Sequence, residues 1–293
     1  MRYLWLGAVA LLCIGALAGC DALYPFKPSK QLDGGSSVVD ARTVDGQVTP
    51  GEAGSTGTIA IYLAGDLKPK TFLDTYAGQT PDRYQIALSK YQLLTSANDT
   101  QPVLCFDHGA KPVVADLSKD TLMGECQTAT IPTATYTHGR VKLDWLSYRV
   151  GVTVHLVIPN PGTLTIFSAY SNTTYQGKAY KAKSGSVAFS GIVGITLPAT
   201  FETPRLPGFR AETTNGETWI TFPFSRPLLV DQKNTQRHWA RFYWEIYKSF
   251  RWQDLTATNH KTNVWDIYVT NHPSYEAVKY AGVTGYHITT SMD

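Results

Sequence analysis

The sequence predicts an all-β protein built as an antiparallel β-sandwich. Three observations carry that expectation. Apolar residues alternate with polar ones at a period of two in run after run from Thr56 onward. Turn chemistry separates these runs, as in Pro159-Asn160-Pro161-Gly162, Ser184-Gly185 and Asn215-Gly216. Helical periods do not alternate with the strands, which argues against a parallel sheet with crossover helices.

The chain begins with a different kind of segment. Met1-Arg2-Tyr3 carries one positive charge, and Leu4 to Ala18 is an unbroken run of apolar residues and glycines. That run is shorter than the roughly 20 residues of a membrane-spanning helix and suits the apolar part of a secretory signal. It closes on Leu17-Ala18-Gly19-Cys20. These four residues resemble the bacterial lipobox, a Leu and two small residues before a lipid-bearing Cys. The resemblance implies a signal peptide over 1–19, cleavage between Gly19 and Cys20, and fatty acyl chains such as palmitate on Cys20. Each buried acyl CH₂ contributes roughly 0.8 kcal/mol, so several chains on one residue anchor a protein stably. The expected place is the cell envelope, lipid-anchored to the inner or outer membrane and facing the periplasm or the cell surface. Asp21 fits the inner-membrane retention pattern of enterobacteria, but that pattern varies between phyla, so both membranes stay open.

Residues 20–55 read as a lipid-anchored flexible tether. They hold Pro25, Pro28 and Pro50 among many glycines and serines, with no sustained periodicity. As a coil they span about 30–35 Å root-mean-square. The alternative is that Ser37 to Val48 packs on the body as an edge strand.

Residues 56–293 read as the β-sandwich domain. Ile59, Ile61 and Leu63 share a face, as do Tyr84, Ile86 and Leu88 within Arg83 to Leu94. Pro102 to Phe106 and Pro112 to Leu117 follow. Val141, Leu143 and Trp145 form one stripe, and Val150, Val152, Val154, Leu156 and Ile158 another. Further strands are expected at Thr163 to Ala169, Thr174 to Lys181, Ser186 to Leu197, Thr218 to Phe224, Val264 to Val269 and Gly285 to Thr290. Asn160-Pro161-Gly162 and Asn215-Gly216 are expected to close hairpins. Asp231 to Phe250 lacks Gly and Pro. Its aromatic and β-branched content favours a strand over 241–252, with Phe242, Trp244, Ile246, Phe250 and Trp252 on one face and Lys248 as the exception. The alternative is a helix with Trp239, Phe242, Tyr243, Ile246 and Phe250 as its stripe, and one short helix at about 231–240 is compatible with the strand. The prolines at 198, 204 and 207 mark either a long connection or a sub-boundary near 198–207 that sets off a second small β module.

A limited resemblance points the same way. Gly57-Thr-Ile-Ala-Ile-Tyr-Leu63, Tyr84-Gln-Ile-Ala-Leu88, Lys111-Pro-Val-Val-Ala-Asp-Leu117 and Thr130-Ile-Pro-Thr-Ala-Thr-Tyr136 before Arg140-Val-Lys-Leu143 occur in that order. They resemble the transthyretin-like (prealbumin) sandwiches of bacterial surface lipoproteins, where a Leu-Pro-Ala-Gly-Xaa-Tyr turn feeds a strand beginning with Arg. Ala134 stands where that turn has glycine. The resemblance implies a fold and no activity.

Composition narrows the function classes. Hydrophobic residues make up 43% and charged residues 17%, which excludes a wholly disordered chain. A net charge of +3 gives no electrostatic case for nucleic acid. No Gly-x-Ser-x-Gly, Ser-x-x-Lys, His-Glu-x-x-His or P-loop is present. Cys105 and Cys126 read as a disulfide in an oxidising compartment, against free thiols or a metal pair with histidine. Of the seven histidines at 108, 138, 155, 238, 260, 272 and 287, none pairs with another at ligand spacing. His138 with His155 across neighbouring strands, and Asp107 with His108, are the juxtapositions worth testing. Lysines interleaved with tyrosines over 170–183 read as a solvated hairpin guarding an edge. Trp239 and Trp265 fit the strand alternation least well and stand as the exposed candidates for ligand binding. No catalytic residue, metal site or cofactor is expected. The function expected is a non-enzymatic binding or accessory module of the envelope, with a protein or glycan partner. The alternatives are a structural subunit of an envelope complex and a carbohydrate-binding module using the C-terminal aromatics, with a hydrolase built from scattered catalytic residues as the least favoured reading.

Overall fold

The computed structural model describes residues 57–155, 159–189, 192–197, 210–233, 235–256, 260–268 and 276–291. Gly19, Cys20, the signal run, the tether, the 198–207 segment and His272 lie outside the described residues. In chain order the strands are β1 (Thr58–Asp66), β2 (Ala77–Gln79), β3 (Arg83–Leu94), β4 (Val103–Asp107), β5 (Val113–Asp116), β6 (Thr121–Gln127), β7 (Ala134–His155), β8 (Pro159–Ala169), β9 (Thr173–Tyr175) and β10 (Lys178–Tyr180). They continue as β11 (Ser184–Phe189), β12 (Ile192–Leu197), β13 (Arg210–Thr214), β14 (Glu217–Val230), β15 (His238–Glu245), β16 (Phe250–Trp252), β17 (Trp265–Tyr268), β18 (Val278–Ala281) and β19 (Gly285–Thr290). Among the described residues the only helical element is a 3₁₀ turn at Thr128–Thr130. The fold is all-β and sandwich-like, as the alternation predicts.

The 22-residue strand β7 is the spine of the large sheet. One edge pairs with β14 along residues 134–143 and then with β8 along 145–155. The other edge pairs with β3 along 138–149 and then, in parallel, with β17 along 152–155. The sequence reads this strand as two, and a bulge explains why. Asp144 is skipped in the pairing on both edges, and its carbonyl accepts the N–H groups of Tyr170 (2.9 Å) and Ser171 (3.0 Å). An extra residue shifts a strand's facing by one. Val141 and Leu143 therefore share the main core with Leu146, Tyr148, Val150 and Val152, while Trp145 turns to the opposite face. The expected stripe of Val141, Leu143 and Trp145 is corrected accordingly.

The main core lies between this sheet and a second one of order β19-β15-β1-β6, in which β1 and β15 run parallel. Ile59, Ile61 and Leu63 of β1 and Phe242 and Trp244 of β15 face Tyr91, Val141, Ile220 and Phe222 of the large sheet. Aromatic rings fill the space: Phe222 meets Phe242 edge-on at 4.5 Å, and Phe250 meets Trp265 at 4.8 Å. Such contacts add about 0.5–1.5 kcal/mol to the burial of the rings themselves. A third sheet of order β18-β16-β2 extends the core around Trp252. On the far face of the large sheet the β9–β10 hairpin covers a second cluster, in which Phe167 stacks on Tyr175 at 4.1 Å beside Trp145. Thus all three tyrosines of the 170–183 stretch serve packing, Tyr175 and Tyr180 in this cluster and Tyr170 in the main core.

Several expectations need correction. Residues 231–233 form a turn rather than a helix: Asp231 accepts the N–H of Lys233 (3.0 Å), and Thr133 accepts that of Gln232 (3.2 Å). The Thr133 hydroxyl, just before β7, holds this turn through a contact distant in sequence. The 241–252 run is two strands in two sheets, broken where Lys248 takes a left-handed φ of 45°. Its five apolar positions are all buried, as expected. Asn160 to Gly162 do not form a turn but pair with Val152 to Val154, so the β7–β8 connection falls on residues outside those described. Asn215 (φ 54°) and Gly216 (φ 75°) do close the β13–β14 hairpin. The chain beyond 210 pairs with earlier strands in both large sheets, β14 with β7 and β15 with β1, and shares their core.

Close approach at one glycine offers a test of this packing. A Cβ at Gly139 would meet the Phe222 ring and the Tyr91 hydroxyl at 2.5 Å each. Gly139→Ala is expected to destabilise the protein by about 1–3 kcal/mol. A urea midpoint unchanged from wild type would show that β7 does not meet β14 and β3 in this register.

Candidate functional site

Cys105 and Cys126 form a disulfide, with Cα atoms 5.0 Å apart. Cys105 belongs to β4 at the edge of the large sheet and Cys126 to β6 at the edge of the small one, so the bridge joins the two layers. Asp107 and His108 do not act as a pair. Asp107 accepts the N–H of Gly109 and is held below the usual carboxylate range mainly by that bond, whereas His108 bonds the Met123 carbonyl at 2.8 Å. His138 and His155 do not face each other either, because both lie on β7 near opposite ends.

Trp239 and Trp265 part company. Trp265 is 1% exposed, packs on Phe250 and donates its indole N–H to the Glu276 carbonyl (2.9 Å), so it offers no ring to a ligand. The alternation of β17 puts it in the main core with Ile267. Trp239 lies on the outer face of the small sheet and is half-buried. Strict alternation along β15 buries His238, Ala240, Phe242 and Trp244 and leaves Trp239, Arg241, Tyr243 and Glu245 outward. Tyr62 of β1 sits opposite Arg241, and the Arg241 guanidinium lies over both the Tyr62 ring (5.1 Å) and the Trp239 ring (5.3 Å). Asp120 accepts from Arg241 at 2.9 Å. Tyr243 stacks on His287 of β19 at 4.6 Å. Burial holds the His287 imidazole below its ordinary pKa, against the pull of Asp66 and Glu245. The result is a row of half-exposed rings with a fixed cation and carboxylates at its margins.

A second constellation is buried and is not visible from sequence spacing. His155 at the end of β7 and Asp266 in β17 lie on the face opposite the main core, and His155 Nε2 meets Asp266 Oδ1 at 2.5 Å. The loop after β16 brings His260 over them, with its ring centroid 5.6 Å from that of His155. His260 Nδ1 contacts the Leu255 carbonyl (2.9 Å) and Glu276 Oε1 (3.3 Å). Glu276 accepts the backbone N–H groups of Leu255 (2.9 Å) and Asp266 (2.7 Å), taking the place of a strand along the outer edge of β17. Asp266 Oδ2 accepts the N–H of Lys261 at 3.1 Å. Both carboxylates are fully buried. Burial pushes the Glu276 carboxyl up to about 7, with the Asp254 and Asp266 side chains adding to the rise and the two N–H donors opposing it. The only sequence signal was a charged residue, Asp266, between Trp265 and Ile267 in a predicted strand. The parallel pairing that brings β17 to β7 leaves no local mark.

No protein-family model matches the chain, and comparisons with curated proteins and with solved structures give no match.

The raised Glu276 carboxyl has a thermodynamic consequence. Between the ordinary carboxyl value of 4.5 and about 7 the folded state binds more protons than the unfolded one. Its contribution to stability is complete below the first value and is lost as pH rises through the second. Glu276→Gln is expected to flatten that decline in urea-unfolding free energy between pH 4 and 8. An equal slope in wild type and variant would assign the pH dependence to another group.

Proposed function

We propose that this protein is a membrane-anchored lipoprotein of the cell envelope that acts as a non-enzymatic binding module. The lipobox-like Leu17-Ala18-Gly19-Cys20 supports the anchor, and the Cys105–Cys126 bridge fits an oxidising compartment. The observation that carries the binding role is the outward row of Trp239, Tyr62, Arg241 and Tyr243 on the small sheet. A water-facing sheet surface is normally polar, and rings left there offer large contact area with few rotamers to freeze. Rings flanked by Arg241 and by acidic groups suit the apolar faces and hydroxyls of a sugar, which favours a glycan ligand. A protein partner docking on the same row, as in an envelope complex, is the second reading. The exposed Leu122, opposite Tyr62 in β6, favours it by adding an aliphatic contact to the row.

Two experiments test the two halves of this reading. Cys20→Ala is expected to abolish incorporation of labelled palmitate, and labelling that persists in the variant would end the lipid-anchor assignment. Trp239→Ala is expected to weaken retention on isolated envelope glycan or crosslinking to an envelope protein by tenfold or more, about 1.4 kcal/mol. The stability of the variant should change little, because the ring lies outside the core. Retention and crosslinking unaffected by both Trp239→Ala and Tyr243→Ala would remove this face from the proposal.

A further inference from the structure

We propose that His155, His260 and Asp266 form a binding site for a divalent transition-metal ion, with Zn²⁺ as the reference occupant. The inference does not depend on the lipid anchor or on the Trp239 face. Each residue offers one ligand atom, and the three atoms lie within 4.8 Å of one another. Two imidazoles and one carboxylate are a donor set that borderline metals take, leaving a fourth position for water. Bonds of about 2.0–2.2 Å put neighbouring donors of a tetrahedral zinc roughly 3.3–3.5 Å apart. Closing around an ion thus needs a shift of about 1–1.5 Å at most in the widest pair and an opening of the His155–Asp266 contact.

The surroundings are those of a metal site. His260 Nδ1 faces two acceptors, the Leu255 carbonyl and Glu276 Oε1. It therefore carries the hydrogen, which directs the lone pair to Nε2. A carboxylate and a carbonyl behind an imidazole fix the tautomer and ring direction of metal-binding histidines. Asp266 is likewise held from behind by the Lys261 N–H, which steadies Oδ2 while Oδ1 points to His155. Among the described residues, neither Asp266 nor Glu276 is bridged by a Lys or Arg side chain, although both are fully buried. Buried carboxylates require compensation, and a divalent cation supplies it. Thr153 adds an independent observation. It is the register partner of Asp266, lies on the same face two residues before His155, is 1% exposed, and its hydroxyl has no hydrogen-bond partner.

Binding replaces the His155 Nε2–Asp266 Oδ1 contact with a bond from each atom to the metal, and any proton held between them passes to water. Because the ligands come from β7, β17 and the loop after β16, the ion would tie that loop and Glu276 to the end of the large sheet.

The test uses the detergent-solubilised full chain, stripped with a chelator and titrated with Zn²⁺ by calorimetry. The expected result is one equivalent bound with a dissociation constant of about 1 μM or tighter, together with a rise in Tm. His260→Gln should weaken binding by tenfold or more, while His108→Gln, outside the cluster, leaves it unchanged. Absence of saturable binding up to about 1 mM by the folded wild type overturns the proposal. So does an affinity unaltered in His260→Gln. Should that variant not fold, X-ray absorption of the Zn²⁺-loaded wild type decides: two imidazoles in the ligand shell support the site, and any other number rejects it.

Discussion

Asp144 is skipped by the strands on both edges of β7, and its carbonyl accepts the backbone N–H groups of Tyr170 and Ser171 where the pairing passes from β14 to β8. Strand parity is strict, so one additional residue reassigns every side chain after it. Before the bulge the odd positions Val141 and Leu143 enter the main core, and after it the even positions Leu146 to Val152 do. The same event sends Trp145 to the second cluster and puts Thr153 and His155 on that second face. A regular strand would instead have driven the imidazole of His155 into the hydrocarbon between the sheets. The two cores and the buried polar cluster all follow from this one offset.

That constraint also explains which parts of the fold can be read in the amino-acid order. Strands with uninterrupted alternation, such as β1 and β15, announce both their existence and their inward face. Asn215-Gly216 announces its hairpin because only a few residue types tolerate the required φ values. The bulge at Asp144 has no such signature, since Leu143-Asp144-Trp145-Leu146 reads as well in one phase as in the other. Pro159 to Gly162 mislead for a related reason: turn-forming residues also occur at the start of a strand, where Pro lacks only a donor at an unpaired position. Lys248 breaks the aromatic run after Ile246 without Gly or Pro, so the change of sheet there was masked by five correctly spaced apolar residues.

The candidate sites were legible to different degrees. Trp239 could be found from its position against the alternation of its neighbours, and its partners Tyr62 and Arg241 follow once β1 is placed beside β15. Trp265 looked equivalent in sequence, but pairing with β7 makes it a core residue. His155, His260, Asp266 and Glu276 span four separate segments and meet through a parallel pairing of four residues and a loop. Tertiary geometry alone assembles them, which is the general condition of polar clusters built from distant positions.

The parallel alignment of β1 with β15 fixes an order of events for a chain made from its amino end. Ile59, Ile61 and Leu63 emerge early, yet the Phe242 and Trp244 rings that accompany them in the small sheet come more than 170 residues later. Pairings so distant along the chain are slow to form because the intervening loop must first be closed. Over that interval β1 has only β6 beside it, and the Cys105–Cys126 bridge, spanning 21 residues, encloses chain that is already made. Once oxidised, the covalent link can therefore hold the first half of the sandwich together before β15 and β19 join it.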